Sequence, residues 1–270
     1  MKFGICNEIF QGWEIERAMS YAAELGYGGL EIAPFTLAQY VSKISGLERQ
    51  HIRESAARCG IEIIGLHWLL AKTEGLHLTH PDRAVRERTS NYFCELADCC
   101  ADLGGKVLVL GSPQQRNAAP GVNPEQAWQW ATETLQAAVR RAEDRAVVFC
   151  FEPLAPAETN FINHARDALR FAQQFNSLAM KIILDVKAMC SEAQPIPEII
   201  RASWPGFAHF HANDCNRKGP GFGEVDFHPI ADALKEVGYA GYVSVEVFEF
   251  EEGPEAIASK SLHCLREAFA

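Results

Sequence analysis

Four short apolar runs in the second half of the chain each end on a residue type that binds metal ions. They are Val147-Val148-Phe149-Cys150-Phe151-Glu152, Ile182-Ile183-Leu184-Asp185, Phe207-Ala208-His209-Phe210-His211 and Tyr242-Val243-Ser244-Val245-Glu246. Successive ends are roughly 30 residues apart, the length of one strand–helix–strand unit. Each polar group therefore falls at the same end of its own strand. Alternation along a strand sends every second side chain to one face. Cys150 and Glu152, Ile183 and Asp185, His209 and His211, and Ser244 and Glu246 then share faces. Taken singly, a strand-end Glu is an ordinary rim charge. Taken together, three carboxylates at one mouth repel one another and raise one another's pKa. A bound cation removes that conflict. Three oxygen donors and one imidazole suit one divalent ion: Mn, Mg or Co first, Zn or Fe second.

The elements that must position these groups alternate strand and helix from end to end, which predicts an α/β fold with a parallel sheet. Strands are expected at 2–6, 29–33, 61–67 and 106–110, then ending at Glu152, Asp185, His211 and Glu246. Helices are expected at 14–25, 47–59, 81–103, 123–143, 163–175, 197–202 and 253–269, with Gly26, Gly60 and Gly104 closing the first three. Asn123 caps the fourth and Pro124 fits its first position. Asp226 is expected to cap one more helix, whose stripe is Phe227, Ile230, Ala231, Leu234 and Val237, stopped by Gly238. Eight strands and eight helical segments predict a single (β/α)8 TIM-barrel domain over 1–270, close to the typical length of about 250. No Gly-rich phosphate turn follows the first strand, which argues against an open doubly wound sheet.

Apolar residues make up 48% of the 270 and charged residues 22%, enough for a full core. The net charge of −10 and the lack of a basic run argue against a nucleic-acid partner. No apolar run approaches the ~18 residues of a membrane helix. The N-terminal Met1–Cys6 is too short an apolar stretch for a signal peptide, so a cytoplasmic protein is expected. The nine cysteines show no Cys-x-x-Cys and no pairing pattern, and are expected to be reduced thiols.

Phe151-Glu152-Pro153, Leu184-Asp185, the His209–Asp214 run and Ser244-Val245-Glu246-Val247-Phe248 resemble the sugar phosphate isomerase/epimerase family. This is the xylose isomerase-like group of TIM barrels, which includes ketose 3-epimerases and hydroxypyruvate isomerase. The Gly219–Phe227 stretch is also similar to the family, and the resemblance covers nearly the whole chain. It implies that Glu152, Asp185, His211 and Glu246 bind one divalent metal. It implies that Glu152 and Glu246 act as base and acid on opposite faces of a small sugar, sugar acid or hydroxy-keto compound. The reaction implied is proton abstraction beside a carbonyl through a metal-stabilised cis-enediolate. His67, Glu158 and Arg217 match substrate-binding positions, Arg217 through a contact with substrate oxygen and the Glu246 carboxylate. Trp13 and Phe248 are candidates for apolar walls. Homodimers or homotetramers are implied as well.

One departure stands out. Ketose 3-epimerases carry a His three residues after the strand-six Asp, and this chain has Ala188 there. Lys187 is the neighbouring candidate for substrate contact, suited to an anionic group. Two alternatives share the scaffold. A lyase or dehydratase on a keto sugar starts with the same proton loss. A zinc phosphodiesterase of the endonuclease IV type would draw on His67, His209, His211 and His228.

Overall fold

The computed structural model describes residues 1–270. Eight parallel strands close into a barrel in sequence order. They are β1 (Lys2–Cys6), β2 (Gly29–Ile32), β3 (Glu62–Leu66), β4 (Val107–Leu110), β5 (Val148–Phe151), β6 (Met180–Asp185), β7 (Phe207–Ala212) and β8 (Tyr242–Val245). Pairing of β1 with β8 closes the ring. The main helices are α1 (Ile15–Leu25), α2 (Gly46–Cys59), α3 (Arg83–Leu103), α4 (Pro124–Arg145), α5 (Ala165–Gln173), α6 (Val186–Met189), α7 (Ile196–Ser203), α8 (His228–Glu236) and α9 (Pro254–Ala268). No helix is long and apolar enough to cross a membrane.

Local chemistry explains most boundaries. Gly26 and Gly60 close α1 and α2 in the left-handed conformation, which costs a glycine no Cβ clash. Asn123 accepts from the Gln126 amide at 2.7 Å and starts α4, as its sequence predicts. Asp226 departs from expectation. It accepts from the His228 amide at 3.0 Å, but α8 begins one residue later than a cap at Asp226 requires. Pro229 lies in the first turn, where a missing amide hydrogen is harmless. The expected helix from 163 shortens to α5, because Asn163 Nδ2 donates to the carbonyls of Leu154 and Thr159 and holds a loop instead.

The core is the apolar shell between barrel and helices, with Phe93 and Phe149, and Phe151 and Phe171, in edge or tilted ring contact. Inside the barrel a smaller cluster of Val109, Cys150 and Ile183 forms an apolar floor. Above it the inward positions turn polar.

The cysteine expectation fails at one pair: Cys190 and Cys215 form a disulfide, while the other seven cysteines are free. Adjacent strands β6 and β7 bring their following loops side by side, so a sequence separation of 25 is no obstacle. Spacing in sequence carries no trace of that adjacency.

Candidate metal centre and active site

Every strand delivers one residue to the C-terminal end of the barrel interior. In strand order these are Cys6, Glu31, His67, Gly111, Glu152, Asp185, His211 and Glu246, and all the polar ones are buried. Within this ring, Glu152, Asp185, His211 and Glu246 each present a ligand atom, and those atoms lie within 4.8 Å of one another. The four strand-end groups therefore meet, as their spacing predicts.

Each is held differently. Both Asp185 oxygens accept hydrogen bonds, one from the Ala188 amide and one from Asn213 Nδ2, each at 2.7 Å. Trp68 Nε1–H donates to Glu246 Oε1 at 2.7 Å, and His211 Nδ1 lies 3.1 Å from the other Glu246 oxygen. Glu152 is anchored through its backbone: buried Arg116 donates to its carbonyl at 2.6 Å. Its carboxylate occupies space that only a glycine at position 111 leaves open. A Cβ on Gly111 would sit 1.8 Å from Glu152 Oε2. A Gly111→Ala variant is expected to fold with little loss of stability, since a side-chain tip can swing aside. The displaced carboxylate should lower activity at least about tenfold, as misplacement of about 1 Å costs far more in many sites. Thermal unfolding and turnover measured side by side check this.

The electrostatics match a cation site. Burial raises the Glu152 carboxyl well above its usual range, and the Glu246 and Asp185 charges raise it further. Burial also raises Asp185, with the Lys187 charge partly offsetting it. Burial alone would raise Glu246, but the His211 charge beside it prevails and brings it to about 2. Three buried carboxylates crowded in this way are costly without a cation. The donor set, three carboxylates and an imidazole, fits a divalent ion held mainly by oxygen.

The substrate-binding candidates divide. His67 is fully buried, with Nε2 2.7 Å from Glu8 Oε2, and it neighbours Glu246. Glu158 and Lys187 converge: Lys187 Nζ donates to Glu158 Oε1 at 2.7 Å and lies 4.0 Å above the Phe248 ring. Lys187 is therefore not a solvated helix-start residue. Arg217 lines the cleft beside the cluster, but its carboxylate partner is Glu249 at 3.3 Å rather than Glu246. His228 is an exposed residue paired with Asp226 and is not part of the centre. A cleft of about 770 Å³ opens next to Glu246, walled by Phe10, Trp13, Phe35, Trp68, Phe248 and Phe250. Trp13 and Phe248 do form walls there.

Several site residues escape a reading of the sequence. Glu31 belongs to the ring of strand-end groups, and Glu8, Trp68 and Arg116 touch it. Only Glu31 leaves a signal, a lone charge between Leu30 and Ile32 in a strand buried throughout.

Comparison with known proteins agrees with this geometry. A family model described as xylose isomerase-like TIM barrel matches residues 19–268. The D-psicose 3-epimerase of Ruminiclostridium cellulolyticum is 28% identical over 256 residues, covering 92% of this chain and 84% of that protein. The 3-dehydro-D-guloside 4-epimerase of Escherichia coli is 24% identical over 273 residues, covering 98% of this chain and 99% of that one. The crystal structure of D-psicose 3-epimerase with D-tagatose from Clostridium cellulolyticum H10 superposes with a TM-score of 0.88 at 23% identity, covering 100% of this chain and 99% of that chain. With the family match spanning nearly all of a closed eight-stranded barrel, this chain belongs to the xylose isomerase-like TIM barrel family.

Proposed function

We propose that this protein is a metal-dependent epimerase of a small neutral keto sugar. One observation carries the reading. Glu152 and Glu246 rise from strands on different sides of the barrel and bring carboxylate oxygens to one cluster with Asp185 and His211. This arrangement supports an acid–base group on either side of a substrate lying across the cluster. The curated relatives, both sugar epimerases by name, support the same class.

Glu152, Asp185, His211 and Glu246 would hold one divalent ion. When bound, the ion supplies a Lewis acid that grips neighbouring carbonyl and hydroxyl oxygens and stabilises charge built up by proton loss. The protein's groups do the rest. One Glu carboxylate takes the proton from the carbon beside the carbonyl, and the other returns a proton to the opposite face. The roles exchange in the reverse direction. Trp68 fixes the aim of Glu246. Asp185 has both oxygens engaged in hydrogen bonds, so it suits a ligand's role better than a base's. The aromatic walls of the cleft offer apolar surface beside Glu246.

Lys187 and Glu158 define the polar end of the substrate site. Four carboxylates (Glu152, Asp185, Glu246 and Glu158) surround one lysine and one divalent ion. Lys187 is already paired with Glu158 at 2.7 Å, so it is not free for a phosphate or carboxylate. A neutral, hydroxyl-rich substrate fits this balance, with the Lys187–Glu158 pair taking the place of the His that Ala188 lacks. Lys187→Met should lower kcat/KM by about 10- to 100-fold, the worth of about 1.5–3 kcal/mol for a hydrogen bond to a charged group. Ala188→His should shift preference among ketoses. Steady-state kinetics over a ketose panel checks both.

The direct test incubates the Mn2+-loaded protein with ketoses and keto sugars in D2O. Deuterium should enter at the carbon beside the carbonyl, with the epimer as product. If no sugar in a broad panel exchanges that hydrogen, the proposal fails.

A further inference from the structure

Glu31 is the buried carboxylate of the polar ring that the proposed reaction leaves unused. It is fully buried on β2. A carboxylate so placed must be paired to be tolerated. Its two oxygens face two imidazoles of β7: Oε1 lies 2.9 Å from His209 Nε2, and Oε2 lies 2.9 Å from His211 Nε2. Cys6 Sγ–H donates to Oε2 as well, at 3.4 Å. Strands β2 and β7 are not neighbours in the ring, so Glu31 reaches across the barrel interior to touch β7.

The two nitrogens of His211 thereby face different partners. Nε2 meets Glu31, and Nδ1 meets Glu246 on the side of the four-residue cluster. An ionised carboxylate accepts hydrogen bonds and donates none. Glu31 therefore requires the hydrogen on Nε2, so an ion entering the cluster would displace the hydrogen on Nδ1 and take that lone pair. A carboxylate behind a metal-ligating His fixes its tautomer and ring orientation and raises its basicity.

We propose that Glu31 is a positioning residue for the metal ion, acting through His211, with His209 Nε2 packed against the second Glu31 oxygen at 2.9 Å. This inference rests on the assignment of Glu152, Asp185, His211 and Glu246 as the ion's ligands.

The test is calorimetric titration of the metal-stripped full chain with Mn2+. The wild type should bind one ion, and Asp185→Asn should bind far more weakly. Glu31→Gln should weaken Mn2+ affinity by about 10- to 100-fold, and its activity at limiting Mn2+ should recover with excess Mn2+. His209→Gln, which leaves Glu31 in place but loosens it, should cost several-fold. Nitrogen-15 NMR of the Mg2+-loaded wild type should find the His211 proton on Nε2, a readout that survives even if a Glu31 variant does not fold. Glu31→Gln binding Mn2+ as tightly as the wild type, or a proton on Nδ1 in the loaded protein, overturns the proposal. A wild type that binds no Mn2+ overturns instead the ligand assignment beneath it.

Discussion

Glu152→Gln and Glu246→Gln should each lower the epimerisation rate by about 10²- to 10⁴-fold, the range expected for loss of a general acid or base. Gln keeps the size of the side chain and removes its ability to take a proton. Both residues are buried inside a preformed ring, so the change should be felt in turnover before it is felt in folding. The two variants should not fail in the same way. Each retains one working carboxylate, so each can exchange substrate hydrogen with solvent from one face only. Starting from the two epimers separately, deuterium wash-in should persist mainly for one epimer in each variant, with the preference reversed between them. Each substitution also weakens one proposed ion ligand, so the assay belongs at saturating Mn2+. Turnover within threefold of the wild type in either variant would remove that residue from the acid–base pair.

Removal of the divalent ion should have an effect at least as large. In the stripped chain, burial and mutual repulsion keep Glu152 and Asp185 above their usual carboxyl range, and nothing is present to stabilise charge on a substrate oxygen. A chelator is expected to abolish activity, and added Mn2+ to restore it. Stability should move in the same direction. An ion present at 100 times its dissociation constant stabilises the folded state by about 2.7 kcal/mol. For a chain of this size that corresponds to a rise of several degrees in melting temperature. Mg2+ and Co2+ should also raise it, ranked by affinity. Full turnover in a chain shown by elemental analysis to hold no metal would end the reading of the cluster.

The architecture was legible because its signals are local. Leu30 and Ile32, or Leu184 and Phe210, declare strands by their neighbours alone. Gly26, Gly60 and Gly104 end helices through a backbone preference that any context preserves. The same locality exposed Glu152, Asp185, His211 and Glu246, since period-two alternation and a repeat of about 30 residues place them at equivalent strand ends. The start of α8 differs by one residue, because Asp226 accepts from the His228 amide two residues on and closes a local turn instead of capping the helix.

The contacts that tune the site were another matter. Trp68 reaches Glu246 across 178 residues of chain, and Glu31 reaches His211 across 180. The Lys187–Glu158 pair and the Cys190–Cys215 link join loops that follow different strands. The order of residues alone determined which side chains point into the barrel and at what height, because both follow from the geometry of a single strand. Closure of the ring decided which of them face one another. Distances across its interior depend on all eight strands at once, and no stretch of sequence contains them.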